Sequence, residues 1–202
     1  MREEFEKYIF NLYQDVPSEI YVGLLSLLCI VAIGFFVILG WKRVLKKVVG
    51  LLLAEYVFLI YCSTVICRKV TEGISGHNYT LFWSYEAIKN GREDLVAENI
   101  MNVVVFVPVG LLTALVIYNK QKLFKTGQLI VFLGLFISSS IETLQLLLER
   151  GFSELDDVFH NTLGCLIGFM TVAIIKGIWL LQKRYIMSFT DTNEGNKIDY
   201  IG

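Results

Sequence analysis

Residues 20–41 read IYVGLLSLLCIVAIGFFVILGW. No charge interrupts them. At 1.5 Å per residue the run is long enough, as a helix, to cross a hydrocarbon core ~30 Å thick. Four more runs of similar length follow: Val48–Cys67, Ile100–Tyr118, Leu129–Leu148 and Val158–Leu181. In lipid every backbone polar group must be satisfied within the segment, so such runs are helices. The reading is an all-α fold, a polytopic membrane helical bundle of about five transmembrane helices.

The composition agrees. Of 202 residues, 55% are hydrophobic and only 18% charged. A soluble domain is closer to 45–50% apolar. The formal net charge of −1 leaves no basic field to hold nucleic acid. The N-terminal stretch MREEFEKYIFNLYQD is acidic and lacks the basic start of a secretory signal, so the first run reads as a retained span. The 4 cysteines sit in or beside apolar runs and read as small buried hydrophobes. Cys62 and Cys67, five apart, fit neither one α-helical face nor a disulfide within a helix.

The charges between the runs orient them. Lys42, Arg43, Lys46 and Lys47 lie in the first connection, Lys120, Lys122 and Lys125 in the third, and Lys183 and Arg184 open the tail. Basic short loops mark the cytoplasmic side. The expected arrangement is N-terminus outside, C-terminus inside. The acidic N-terminus, the loop around residues 68–98 and the short loop Glu149–Asp157 then face outward. Trp83 and Tyr85 in the longer loop suggest a short helix at the membrane surface. The organisation read from this is a two-span segment over 1–78, a three-span domain over 79–182 and a polar, mobile cytoplasmic tail over 183–202.

Polar residues inside apolar spans need a reason, because an ionisable group at mid-span costs roughly 2.5–3.5 kcal/mol on insertion scales. In the fourth run Glu142, Gln145 and Glu149 share one helical face. In the fifth, Asp157, Asn161, Gly164 and Gly168 do the same. In the third, Asn99 and Asn102 precede Pro108, which removes a backbone hydrogen bond and is expected to interrupt the helix, and Gly110. These groups fall at one depth. The short loop makes the last two spans neighbours, and Arg150 is within reach of Asp157 or Glu142. The candidate polar cluster is therefore Asn99, Asn102, Glu142, Gln145, Arg150, Asp157 and Asn161. Pro108, Gly110, Gly164 and Gly168 read as structural, the glycines as small-xxx-small packing. Glu55 has no evident partner. His77 and His160 are the only histidines, and no metal site or cofactor is expected.

These residues in order resemble the VanZ-like family over about residues 80–175. The pieces are Phe82-Trp83-Ser84-Tyr85, Glu98-Asn99 through Asn102 to Phe106-Val107-Pro108-Val109-Gly110, Glu142 with Gln145, Arg150-Gly151, and Asp156-Asp157 with Asn161-Thr162 and Gly164. The chain departs at Tyr79-Thr80-Leu81-Phe82-Trp83, where the family often has Asn-Leu-x-Pro-Phe. The resemblance implies a bacterial inner-membrane protein, and the founding member is linked to low-level resistance to teicoplanin, a glycopeptide. The first expectation is an outward polar pocket that binds or shields an amphipathic envelope molecule, a lipid-linked wall precursor or a lipoglycopeptide, beside membrane lipids. The second is an intramembrane enzyme with Glu142 and Asp157 as acid and base on a lipid. No Ser/His/Asp order, HExxH or phosphate-cradling loop supplies a nucleophile for it. The third is a structural or assembly protein in which the cluster only locks three spans together.

Overall fold

A computed structural model describes the backbone at residues 16–39, 41–68, 70 and 76–198. Helix α1 spans Ser18–Leu39 and α2 Trp41–Tyr61, the latter extended by one π-helical turn, Cys62–Ile66. A short strand β1, Gly76–Asn78, precedes the short helix α3, Trp83–Lys89. Then come α4, Asp94–Ile117, a single 3-10 turn at Lys120–Lys122, and α5, Leu123–Leu147. Strand β2, Phe152–Glu154, leads into the long helix α6, Leu155–Ile198.

The apolar runs do form the long helices. Four described segments are long and apolar enough to cross a membrane: Val44–Ile66, Asp94–Ile117, Leu123–Leu147 and Leu155–Ile186. The first expected span falls on α1. Its side chains are described only to residue 31, and the stretch Ser18–Val31 is apolar but short of a crossing. The acidic segment Met1–Asp15 lies outside the described residues. The chain after Tyr185, expected to be mobile, continues as helix to Ile198. No proline stands there to end it.

Three local departures from the sequence reading have physical causes. First, α4 runs through Pro108 as one helix, because proline removes one donor without breaking the turns on either side. Second, the π-helical turn brings residues five apart into register, and Cys67 N–H donates to the Cys62 carbonyl at 2.8 Å. Third, the two loops at one end of the bundle pair as parallel strands, with His77 opposite Ser153. This end carries both loops and is called the loop end below.

The core lies where α2, α4, α5 and α6 meet, around Ile60, Phe106, Val109, Ile130, Ile141 and Cys165. Outward-facing side chains such as Phe132, Phe136 and Ile174 are exposed and apolar, as lipid contact requires. Between α4 and α6 the backbones themselves touch. A Cβ at Gly110 would overlap the Cys165 carbonyl, one at Gly164 the Val103 carbonyl, and one at Gly168 the Val107 carbonyl. Small residues permit this approach, and packing rather than hydrophobicity holds helices together in lipid.

Gly164→Ala is expected to destabilise the protein by about 1–3 kcal/mol, the usual cost of overpacking. Gly177→Ala meets nothing within 4 Å and should be neutral or mildly stabilising. Thermal melting of both variants in detergent checks this, and equal melting temperatures contradict the packing account.

Candidate functional site

The α4–α6 contact aligns polar residues on facing turns. Asn102 Nδ2 on α4 donates to Asp157 Oδ1 on α6 at 2.7 Å. Four residues further along α6, Asn161 Nδ2 donates to Ser138 Oγ on α5 at 2.8 Å. One turn beyond Ser138 is Glu142, whose Oε2 accepts the Glu154 N–H at 2.8 Å. Gln145 Nε2 reaches α2's π-helical turn and donates to the Thr64 carbonyl at 3.2 Å. Four helices are thus tied together at the loop end.

Between them lies a cavity of about 360 Å³. Its polar lining comprises Ser63, Thr64, Arg68, Glu98, Asn102, Glu142, Gln145, Glu154, Asp157 and Asn161. Its apolar lining comprises Ile60, Val105, Phe106, Ile141 and Phe152. Five of the seven cluster residues expected from sequence line this space: Asn102, Glu142, Gln145, Asp157 and Asn161.

Asn99 and Arg150 do not line it. Asn99 Nδ2 donates to Ser84 Oγ at 3.0 Å, tying α4 to α3. Arg150 does not reach Asp157 or Glu142. Its Nη1 donates to the carbonyls of Val65 (2.8 Å), Ile66 and Arg68 (3.1 Å). The last carbonyls of a helix have no partner within it, and an arginine can cap them. A π-helical ending at the second span could not be foreseen from Arg150's own neighbourhood. The candidate cluster was drawn from the third to fifth runs alone, yet the second span supplies Ser63 and Thr64 to the cavity, and Arg68 follows just beyond its end.

The cation that does line the cavity is Arg68. Gly151, at φ +154°, makes room for it, since a Cβ there would lie 2.9 Å from its Nη1. Among the described residues Arg68 forms no ion pair with a lining carboxylate, and the pair that does form is Arg92–Asp94, at the surface. Glu98, read only as part of a motif, and Glu154, read only as an acid of the short loop, were left out of the expected cluster but line the cavity. Both lie near an end of a span, where a charge attracts no notice. Burial pushes the Glu154 carboxyl above the ordinary range, and the Glu98 charge adds to this. Trp83 Nε1 donates to Glu154 Oε2 at 3.0 Å and works the other way.

Asp156 was read only as part of a motif, but it is fully buried and organises the loop. It accepts from the Phe82 N–H, from Ser84 N at 3.0 Å and from Ser84 Oγ at 2.6 Å. A carboxylate at a helix N-terminus satisfies its unpaired donors. Phe82 has φ 66°, an unusual value for a bulky residue. Asp156 therefore holds the turn at which this chain lacks the family's usual proline. Next to it, Tyr85 Oη and His160 Nε2 hydrogen-bond at 2.9 Å.

Fold and site define a polytopic helical membrane protein with an acidic, amide-rich cavity at the loop end. The chain belongs to the VanZ/LLP1 family, whose model matches residues 49–176, more than half of its length. That match begins within the second span, in keeping with that span's part in the cavity. No curated protein and no solved structure matches the chain.

Asp156→Ala should leave buried donors unpaired at roughly 1–3 kcal/mol each. Limited proteolysis should then cut within residues 79–93 faster than in the parent, and unchanged cleavage contradicts the capping role. Arg150→Ala should speed amide exchange at residues 65–68 and leave exchange within α5 unchanged. Faster exchange confined to α5 and α6 would instead indicate a role beside the carboxylates.

Proposed function

We propose that this protein is a bacterial inner-membrane member of its family that binds or shields an amphipathic envelope molecule. Its cavity seats the molecule's polar head while the apolar part stays in the bilayer. The ligand is a lipid-linked wall precursor or a lipoglycopeptide such as teicoplanin, and the binding contributes to glycopeptide resistance. The basic first and third connections favour a loop end that faces outward, where both ligands occur.

One observation carries this reading: the cavity is open space with a polar and an apolar wall. Ligand sites are typically concave, with a few placed polar groups among apolar ones. A cluster that only locked spans together would be closed by its own side chains. The catalytic reading has less support. Glu142 and Asp157 share the lining, but the lining hydroxyls are turned away from them. Ser63 Oγ donates to the Ile60 carbonyl at 3.0 Å and Thr64 Oγ1 to the same carbonyl at 2.7 Å.

The test fills the cavity without altering its charge. Val105 lines the apolar wall. Fluorescent lipid-linked precursor and labelled lipoglycopeptide are titrated onto the purified protein in nanodiscs. At least one should bind saturably, and Val105→Phe should weaken that binding about tenfold, ~1.4 kcal/mol. Binding no greater than to empty nanodiscs, or equal binding by the variant, would defeat the proposal.

A further inference from the structure

The hydrogen-bonding groups around the cavity are not balanced. Its amide donors already have partners within the protein: Asn102 donates to Asp157, Asn161 to Ser138 and Gln145 to the Thr64 carbonyl. The hydroxyls of Ser63 and Thr64 donate to the Ile60 carbonyl. Each of these groups thus has at least one partner, whereas the buried lining atom left with none is an acceptor. Gln145 is 5% exposed, and its Oε1 is buried without a hydrogen-bond partner. The amide cannot be reversed to relieve this, since the Thr64 carbonyl needs the nitrogen facing it. A buried, unpaired amide oxygen carries the full cost of its desolvation, so it calls for a donor.

Charge narrows the donor further. Glu98, Glu142, Glu154 and Asp157 line the space with Arg68 as the one cation. Arg68 is exposed and pairs with none of them among the described residues. Glu142 is buried and the other three are half-buried, and carboxylates taken out of water are ordinarily paired with a positive charge. An anionic phosphate would meet four carboxyl groups and only one guanidinium.

The geometry points to an ammonium group as the part of the ligand that enters the cavity, a protonated amine donating to Gln145 Oε1 and to the Glu142 and Asp157 carboxylates. This rests on the binding reading above and specifies its ligand. An ammonium group carries only donors and a positive charge, which suits the unpartnered Gln145 Oε1 and the four carboxyl groups around it. Any phosphate on the same molecule stays outside the carboxylate ring. Phe152 and Val105 face the chain that follows the amine.

Three fluorescent probes with one alkyl chain and different heads separate the possibilities: a primary alkylamine, an alkyl phosphate and an alkyl maltoside. Each is titrated onto the full-length protein in phosphatidylcholine nanodiscs, with empty nanodiscs subtracted. The amine should bind saturably and at least about tenfold more tightly than either other probe. Glu142→Gln and Gln145→Leu, which preserve size, should each weaken it about tenfold, with melting temperatures that establish folding. Tighter or equal binding of the phosphate overturns the inference and leaves the binding reading in place. Equal binding of the maltoside, as a cavity of neutral carboxyls would give, does the same. If none of the three binds, the inference falls, and the binding reading falls with it only when the precursor and the lipoglycopeptide fail to bind as well. Amine binding that is the same in both folded variants overturns the assignment of these residues.

Discussion

The α4 and α6 backbones touch at Gly110, Gly164 and Gly168, and the loop end depends on that contact. At this separation Asn102 spans from one helix to Asp157 on the other. A side chain at any of the three glycines would push the helices apart and pull this hydrogen bond open. Water does not drive helices together inside a bilayer, so close approach and interhelical hydrogen bonds must do it. The glycines serve the first and the asparagines the second. On α6, Asp157, Asn161, Gly164 and Gly168 share one face, which is why tight packing and polar chemistry occur side by side.

The second constraint is that backbone groups cannot be left unpaired in lipid. The second span ends in a π-helical turn whose carbonyls point toward the α5–β2 connection. Arg150 caps them, and Gly151 lets Arg68 pass beside it. Asp156 does the reverse for α3, accepting from donors at its start. One arginine and one aspartate thus anchor the start and the middle of the long loop to the same short connection. Strand β2 brings Phe152 and Glu154 to the cavity lining, and Trp83 hydrogen-bonds to Glu154. Glu142, buried beside this connection, sits where each electrostatic interaction counts for more than in water.

Much of this was legible in the chain. Apolar runs of about twenty residues mark the helices. Helical spacing put Glu142 with Gln145 and Asp157 with Asn161 on shared faces, and both pairs line the cavity. What could not be read depended on contacts between distant segments. Arg150 lies beside the acids in sequence, but its partners are carbonyls more than eighty residues earlier. Arg68, Glu98 and Glu154 sit at the ends of elements, where charges are ordinary, and only folding brings them to one space. Asp156 and Asp157 are neighbours one residue apart, so they point to different sides of α6. One caps a helix and the other lines the cavity, a division that spacing alone left open. The π-helical turn also defeated an argument from ideal geometry, because Cys62 and Cys67 align only when the helix widens.

The central claim is that the carboxylate-lined space is a seat for a ligand and not a packing flaw. The most direct measurement is an experimental map of the protein in native-lipid nanodiscs, at a resolution that shows side chains. The account predicts non-protein density within the cavity, in contact with Glu142 and Gln145, with Arg68 still apart from the carboxylates. A cavity closed by its own walls, with Arg68 swung in to pair with Glu98 or Glu142, would contradict it.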